Sequence, residues 1–108
     1  MAEEAKIIEI KTTADSRDLA EKITKGLLEA RLCACVATYP NVVSNYWWKE
    51  KLEKATEYGL VITTLDSKYE LVEKFILENH TYETPEIIAV YIAQSSPGYF
   101  AWVKEVLR

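Results

Sequence analysis

A chain of 108 residues is close to the commonest size of one domain, and residues 1–108 are expected to share a single core. With 49% hydrophobic and 28% charged residues it reads as an ordinary globular protein, and no apolar run reaches the roughly 20 residues that span a bilayer, so no membrane partner is expected. Thirteen basic and seventeen acidic side chains give −4 with neither sign in a run; without a basic patch to displace counterions, nucleic acid is excluded as the expected partner.

The N-terminus opens acidic and without an apolar segment, so no secretory leader is expected, and Met1–Ala5 is expected to be disordered. Lys6–Lys11 carries isoleucines on both faces and predicts a strand. Asp15 or Ser16 caps the following helix, in which Leu19, Ile23 and Leu27 recur every four residues beside Ala20 and Ala30. Cys33–Tyr39 is small and apolar on both faces, as a central strand requires. Pro40-Asn41 predicts a bulge rather than a reversal, since proline cannot serve a central ladder and asparagine tolerates positive φ. Val42–Trp48 continues the strand, the charged stretch Lys49–Thr56 is expected to be the hairpin tip, and Glu57–Thr64 returns.

Ser67 with Glu70 reads as a capping box opening a second helix that buries Leu71, Val72, Phe75 and Ile76. The segment His80-Thr-Tyr-Glu-Thr-Pro-Glu-Ile87 gathers the single histidine, a tyrosine and two carboxylates on a loop stiffened by Pro85. Tyr82 and Glu86 are expected to satisfy its buried polar groups. Ile87–Ala93 predicts a buried fourth strand. Ser96 and Pro97 then start a last helix whose apolar face is Tyr99, Trp102, Val103 and Val106. The order β-α-β-β-α-β with an appended helix predicts an α+β, ferredoxin-like fold with one antiparallel sheet and both crossover helices on one face. The two central arms are long for so small a core, and Tyr46-Trp47-Trp48 on one of them predicts an interface.

The only cysteines, Cys33 and Cys35, would project from one side of an extended strand about 7 Å apart, too far for easy bridging. Reduced thiols and a cytoplasmic setting are expected. A Cys-x-Cys pair is a partial site for a soft ion, and equally two small packing residues. Glu57, Glu83 and Glu86 are carboxylates available near His80. A Cys35–His80 nucleophile pair would require the two to meet in space. Three unclustered glycines leave no phosphate-binding loop.

With these residues in view, the chain resembles the CutA divalent-cation-tolerance family over nearly its whole length. The likeness lies in Glu29-Ala-Arg-Leu-Cys-Ala-Cys-Val36, Pro40–Ser44, Tyr46-Trp-Trp48, Glu57, His80–Ile87, and Tyr99 with Trp102. The resemblance implies a homotrimer of ferredoxin-like subunits joined through long hairpin strands, a link to copper and other divalent ions, and no enzymatic reaction. It departs from the family pattern at Cys33, Glu50, Thr63 and Thr81. The positions matching the bacterial-type copper ligands are Thr12, Asn79 and His80, so only His80 is retained. Cys35, His80 and Glu86 are the ligands the resemblance leaves for copper or another divalent cation, weakly held. The alternative is a small-molecule sensor with its site in an inter-subunit cleft lined by the His80–Glu86 loop.

Overall fold

The computed structural model describes residues 4–108. The expectation of disorder at residues 1–3 therefore lies outside the described residues, while Ala5 is partly buried against an apolar cluster. In chain order the elements are β1 (Ile7–Ala14), α1 (Arg17–Glu29), β2 (Cys35–Trp48), β3 (Lys51–Leu65), α2 (Tyr69–Asn79), β4 (Ile88–Tyr91) and α3 (Pro97–Val106). The four strands form one sheet in the order β2-β3-β1-β4, and each neighbouring pair is antiparallel. This is the expected α+β arrangement.

Alternation along the strands separates two faces. Ile8, Ile10, Ala14, Leu60 and Ile62 point toward α1 and α2 and pack with Leu19, Ile23, Leu27, Val72 and Ile76 as the main core. On the opposite face Ile7 and Leu65, paired across the sheet, meet Val103 and Leu107 of the C-terminal segment. That second cluster covers only the end of the sheet where β1 begins. The remainder of this face carries Glu9, Lys11, Thr13, Val61 and Gly59, and among the described residues no helix lies over it.

Helix α1 starts as expected: the Ser16 side chain accepts from the Leu19 amide at 3.1 Å. It ends in a Schellman turn. The Leu32 amide reaches the Leu27 carbonyl, the Arg31 amide reaches that of Leu28, and Arg31 takes φ 56°. Glycine is the usual occupant of that left-handed position. Here arginine donates to the Val106 carbonyl at 3.0 Å and thereby ties the turn to the end of α3.

Several boundaries differ from expectation, each for a physical reason. The hairpin turn is only Lys49-Glu50, both at positive φ (49° and 66°), with Trp48 paired to Lys51. This is the primed two-residue geometry that matches strand twist; the charged stretch Lys51–Thr56 is strand because it pairs residue for residue with Val43–Trp48. The bulge is where Pro40-Asn41 placed it, with Asn41 at φ 61° and the register shifting between Tyr39 and Val42. No side chain caps α2; a 3₁₀ turn at Asp66–Lys68 leads into it, and Asp66 exchanges bonds with the Lys6 backbone instead. Leu71 is exposed, because the buried stripe of α2 runs through Val72 and Ile76. Strand β4 is four residues long and exposed throughout, since the sheet order puts it at an edge. Val103 of α3 and Leu107 just beyond it are buried and Phe100 is packed beside them, whereas the tilted rings of Tyr99 and Trp102 lie 5.8 Å apart and face outward.

Candidate functional site

The chain leaves α2 at His80, whose backbone turns extended at φ −77°, ψ 148°. The loop that follows folds back across the uncovered face at the end of β1. His80 anchors it through both ring nitrogens. Nε2 lies 2.6 Å from the Thr13 carbonyl, and Nδ1 accepts from the Tyr82 amide at 3.0 Å. A carbonyl can only accept, so Nε2 carries the proton and Nδ1 is the acceptor. Thr81 adds a hydroxyl bond of 3.0 Å to Asp15.

This anchoring delivers Tyr82 to Glu57 of β3. Glu57 shares a strand face with Gly59, Val61 and Thr63 and is only 4% exposed. Its Oε2 accepts from the Tyr82 hydroxyl at 2.6 Å and from the Thr13 hydroxyl at 3.2 Å. Burial, reinforced by the bond to Glu57, pushes the Tyr82 phenol well above its ordinary range, so Tyr82 stays a donor. Beyond them opens a cleft of about 830 Å³ between the loop and the two-stranded arm. Tyr46 and Trp48 supply its aromatic wall, with Trp47 between them in the strand; Glu57, Glu83 and Glu86 supply its charge. At the rim Lys49 Nζ lies 3.9 Å from Glu83 and 5.5 Å from the Trp48 ring centre.

The residues read from the sequence as ligands are not assembled. Cys35 pairs with Thr63, and its thiol lies 3.9 Å from the Thr63 hydroxyl. His80 touches Thr13, which pairs with Gly59. Four residues of β3 separate these positions, roughly 13 Å along the strand. Glu86 lines the cleft and makes no hydrogen bond or ion pair among the described residues. Among those residues no three His, Cys, Asp or Glu side chains are grouped to hold a metal ion. Cys35, His80 and Glu86 are therefore not three ligands of one ion within a single chain, and Cys35 does not meet His80 as a nucleophile would. The thiols also part company. Cys33 precedes β2 and is buried in the helix-side core, where burial pushes it up to about 12, while Cys35 lies beside Thr63 on the other face.

Sequence reasoning found Tyr82 as a satisfier of the loop but missed Thr13 and Asp15 as its partners. The available signal was Glu57, a carboxylate in phase with an apolar strand face; what it bonds lies 25 and 44 positions away.

The model of the family described as CutA1 divalent ion tolerance protein matches residues 8–106. The chain is 38% identical over 95 residues to a Protein CutA homolog of Xenopus laevis, covering 88% of this chain and 63% of that one, so it spans less than two thirds of that relative's length. It is 37% identical to the divalent-cation tolerance protein CutA of Archaeoglobus fulgidus, covering 89% and 93%. A solved structure described as the periplasmic divalent cation tolerance protein CutA of the same organism superposes with a TM-score of 0.91 at 35% identity, covering 94% of this chain and 99% of that one. That description shows that a cytoplasmic setting is not a property of every relative. Among the described residues no helix is long and apolar enough to cross a membrane.

Proposed function

The chain belongs to the CutA family of divalent ion tolerance proteins, and we propose that it serves that tolerance as a non-catalytic homotrimer whose cleft binds a small ligand. The observation that carries this reading is the cleft itself. It is built on a buried carboxylate and an aromatic wall, while the groups that would do chemistry are committed elsewhere. His80 has both nitrogens bonded to backbone, Tyr82 is held as a donor, and Cys33 is buried as a thiol. A nucleophile needs an adjacent base or a lowered pKa.

Assembly is supported by surface. The arm exposes Trp47 at 70% and Leu52 at 69%, and Tyr91 on the edge strand β4 is exposed as well. A cyclic trimer would close such a surface by one repeated contact, and it would place the cleft against a neighbouring chain. Copper enters this reading only as a weakly held ion, because a His80 ligand would first have to surrender one of its two bonds. A thermal-shift panel of divalent ions and small organic ligands tests the proposal. The expected result is a clear rise in melting temperature with an organic ligand and a small one with copper. A tight copper site that survives both His80→Ala and Cys35→Ser would overturn it, as would the failure of every organic ligand to bind.

A further inference from the structure

We infer that the cleft takes a small aliphatic amine in its ammonium form, an inference that rests on reading this cleft as the ligand site. Among the described residues three carboxylates line it, and no Lys, Arg or His is among its walls. The deepest, Glu57, is 4% exposed, yet the donors on it are two neutral hydroxyls and both fall on Oε2. A carboxylate so enclosed is costly without a countercharge, and Oε1 remains to accept one.

A bare metal ion does not answer that demand. It needs several oxygens within about 2.0–2.6 Å, and the cleft's carboxylates are not grouped to that degree. An alkylammonium is larger and does not need them to converge. Its N–H groups donate to Glu57, its chain lies on the apolar faces of Tyr46 and Trp48, and its charge is attracted to the ring quadrupole. The rim already holds such a group. Lys49 Nζ sits over Trp48 and beside Glu83, in a contact between side chains 72% and 71% exposed. Exposed pairs of this kind are weak and easily displaced, so the lysine marks the mode of recognition without closing the entrance. The four-carbon chain of lysine gives the scale of the ligand, and about 830 Å³ accommodates it.

Three four-carbon probes test the inference by their end groups: putrescine (ammonium), 1,4-butanediol (hydroxyl) and succinate (carboxylate). Calorimetry and tryptophan fluorescence on the intact chain are expected to show saturable binding of putrescine alone. Glu83→Gln, an exposed change that spares the fold, and Glu57→Gln are each expected to weaken it about tenfold, the scale of a hydrogen bond to a charged group. Lys49→Asn, which suits the left-handed turn while removing the competing ammonium, is expected to tighten it about threefold. Equal binding of butanediol or succinate would overturn the inference, as would putrescine binding that ignores all three substitutions. If the wider panel yields an organic ligand and putrescine is silent, the amine assignment falls and the cleft reading stands. If no organic ligand binds at all, both fall.

Discussion

The short bond from Tyr82 to Glu57 joins the loop to the sheet, and its removal has a defined cost. Phenylalanine in place of Tyr82 keeps the ring beside His80, 4.9 Å away, but leaves the buried carboxylate with Thr13 as its one remaining donor. Tyr82→Phe is expected to lower stability by about 1–3 kcal/mol in urea unfolding, while Glu86→Gln, at an exposed residue without a partner among the described residues, changes it little. Cys33 gives a prediction of opposite chemistry. Burial raises its thiol from 9.0 to about 12, with the nearby Cys35 adding to the rise, so the folded chain keeps a proton that the unfolded chain loses. That contribution is complete below pH 9 and is lost as pH rises toward 12, by up to about 1.4 kcal/mol per unit. Stability measured from pH 8 to 11 is expected to fall more steeply in the parent than in Cys33→Ala. The native thiol should also resist alkylation that Cys35 undergoes.

Helices α1 and α2 meet closely at Gly26. A Cβ on Gly26 would lie 2.2 Å from the tip of the Phe75 ring, so glycine holds a mid-helix position where alanine is otherwise about 1 kcal/mol better. Gly26→Ala is expected to destabilise by about 1–3 kcal/mol, because the ring must leave its place in the core, and Phe75→Leu in the same chain should recover part of the loss. Such a contact is invisible to periodicity, which reads each helix by itself. What periodicity does reveal is the stripe of α1, the four strands and the bulge at Asn41, since local pattern and local φ decide them. Elements settled by a distant neighbour were not legible. Ser67 lost its capping role to the pairing of Asp66 with Lys6, and β4 is exposed because strand order, not composition, puts it at the edge. Tyr99 and Trp102 face away from the core for a similar reason: Arg31 and the end of the sheet fix how α3 lies. In the site, the loop and its polarity could be read, but not that His80 spends both nitrogens on backbone.

At the scale of the molecule, one dimension dominates. The principal extents are 48 × 25 × 23 Å, and the radius of gyration is 14.8 Å, against about 13 Å for a compact chain of this length. The excess is the arm beyond Val42 and Glu57, where β2 and β3 pair only with each other. Tyr46 and Trp48 alternate with Trp47, so aromatic side chains stand on both surfaces of a ribbon that one chain leaves uncovered. Light scattering is expected to give about three times the 12.4 kDa of one chain. Melting should depend on protein concentration, and Trp48→Ala should weaken assembly far more than Lys49→Ala, whose contacts are solvated. A folded monomer at micromolar concentration would contradict this.

The ribbon also orders events in time. A two-stranded hairpin is marginal by itself in water, so residues 43–56 have little to hold them until another surface arrives. The helix-covered part of the sheet needs no such help. After dilution from denaturant, far-ultraviolet circular dichroism should therefore recover at a rate indifferent to dilution. Tryptophan emission, with two of three indoles in the ribbon, should follow later and as a second-order process. Between the two lies an interval in which the core is made and the ribbon is loose, and in that interval the exposed strands are most open to pairing with the wrong chain.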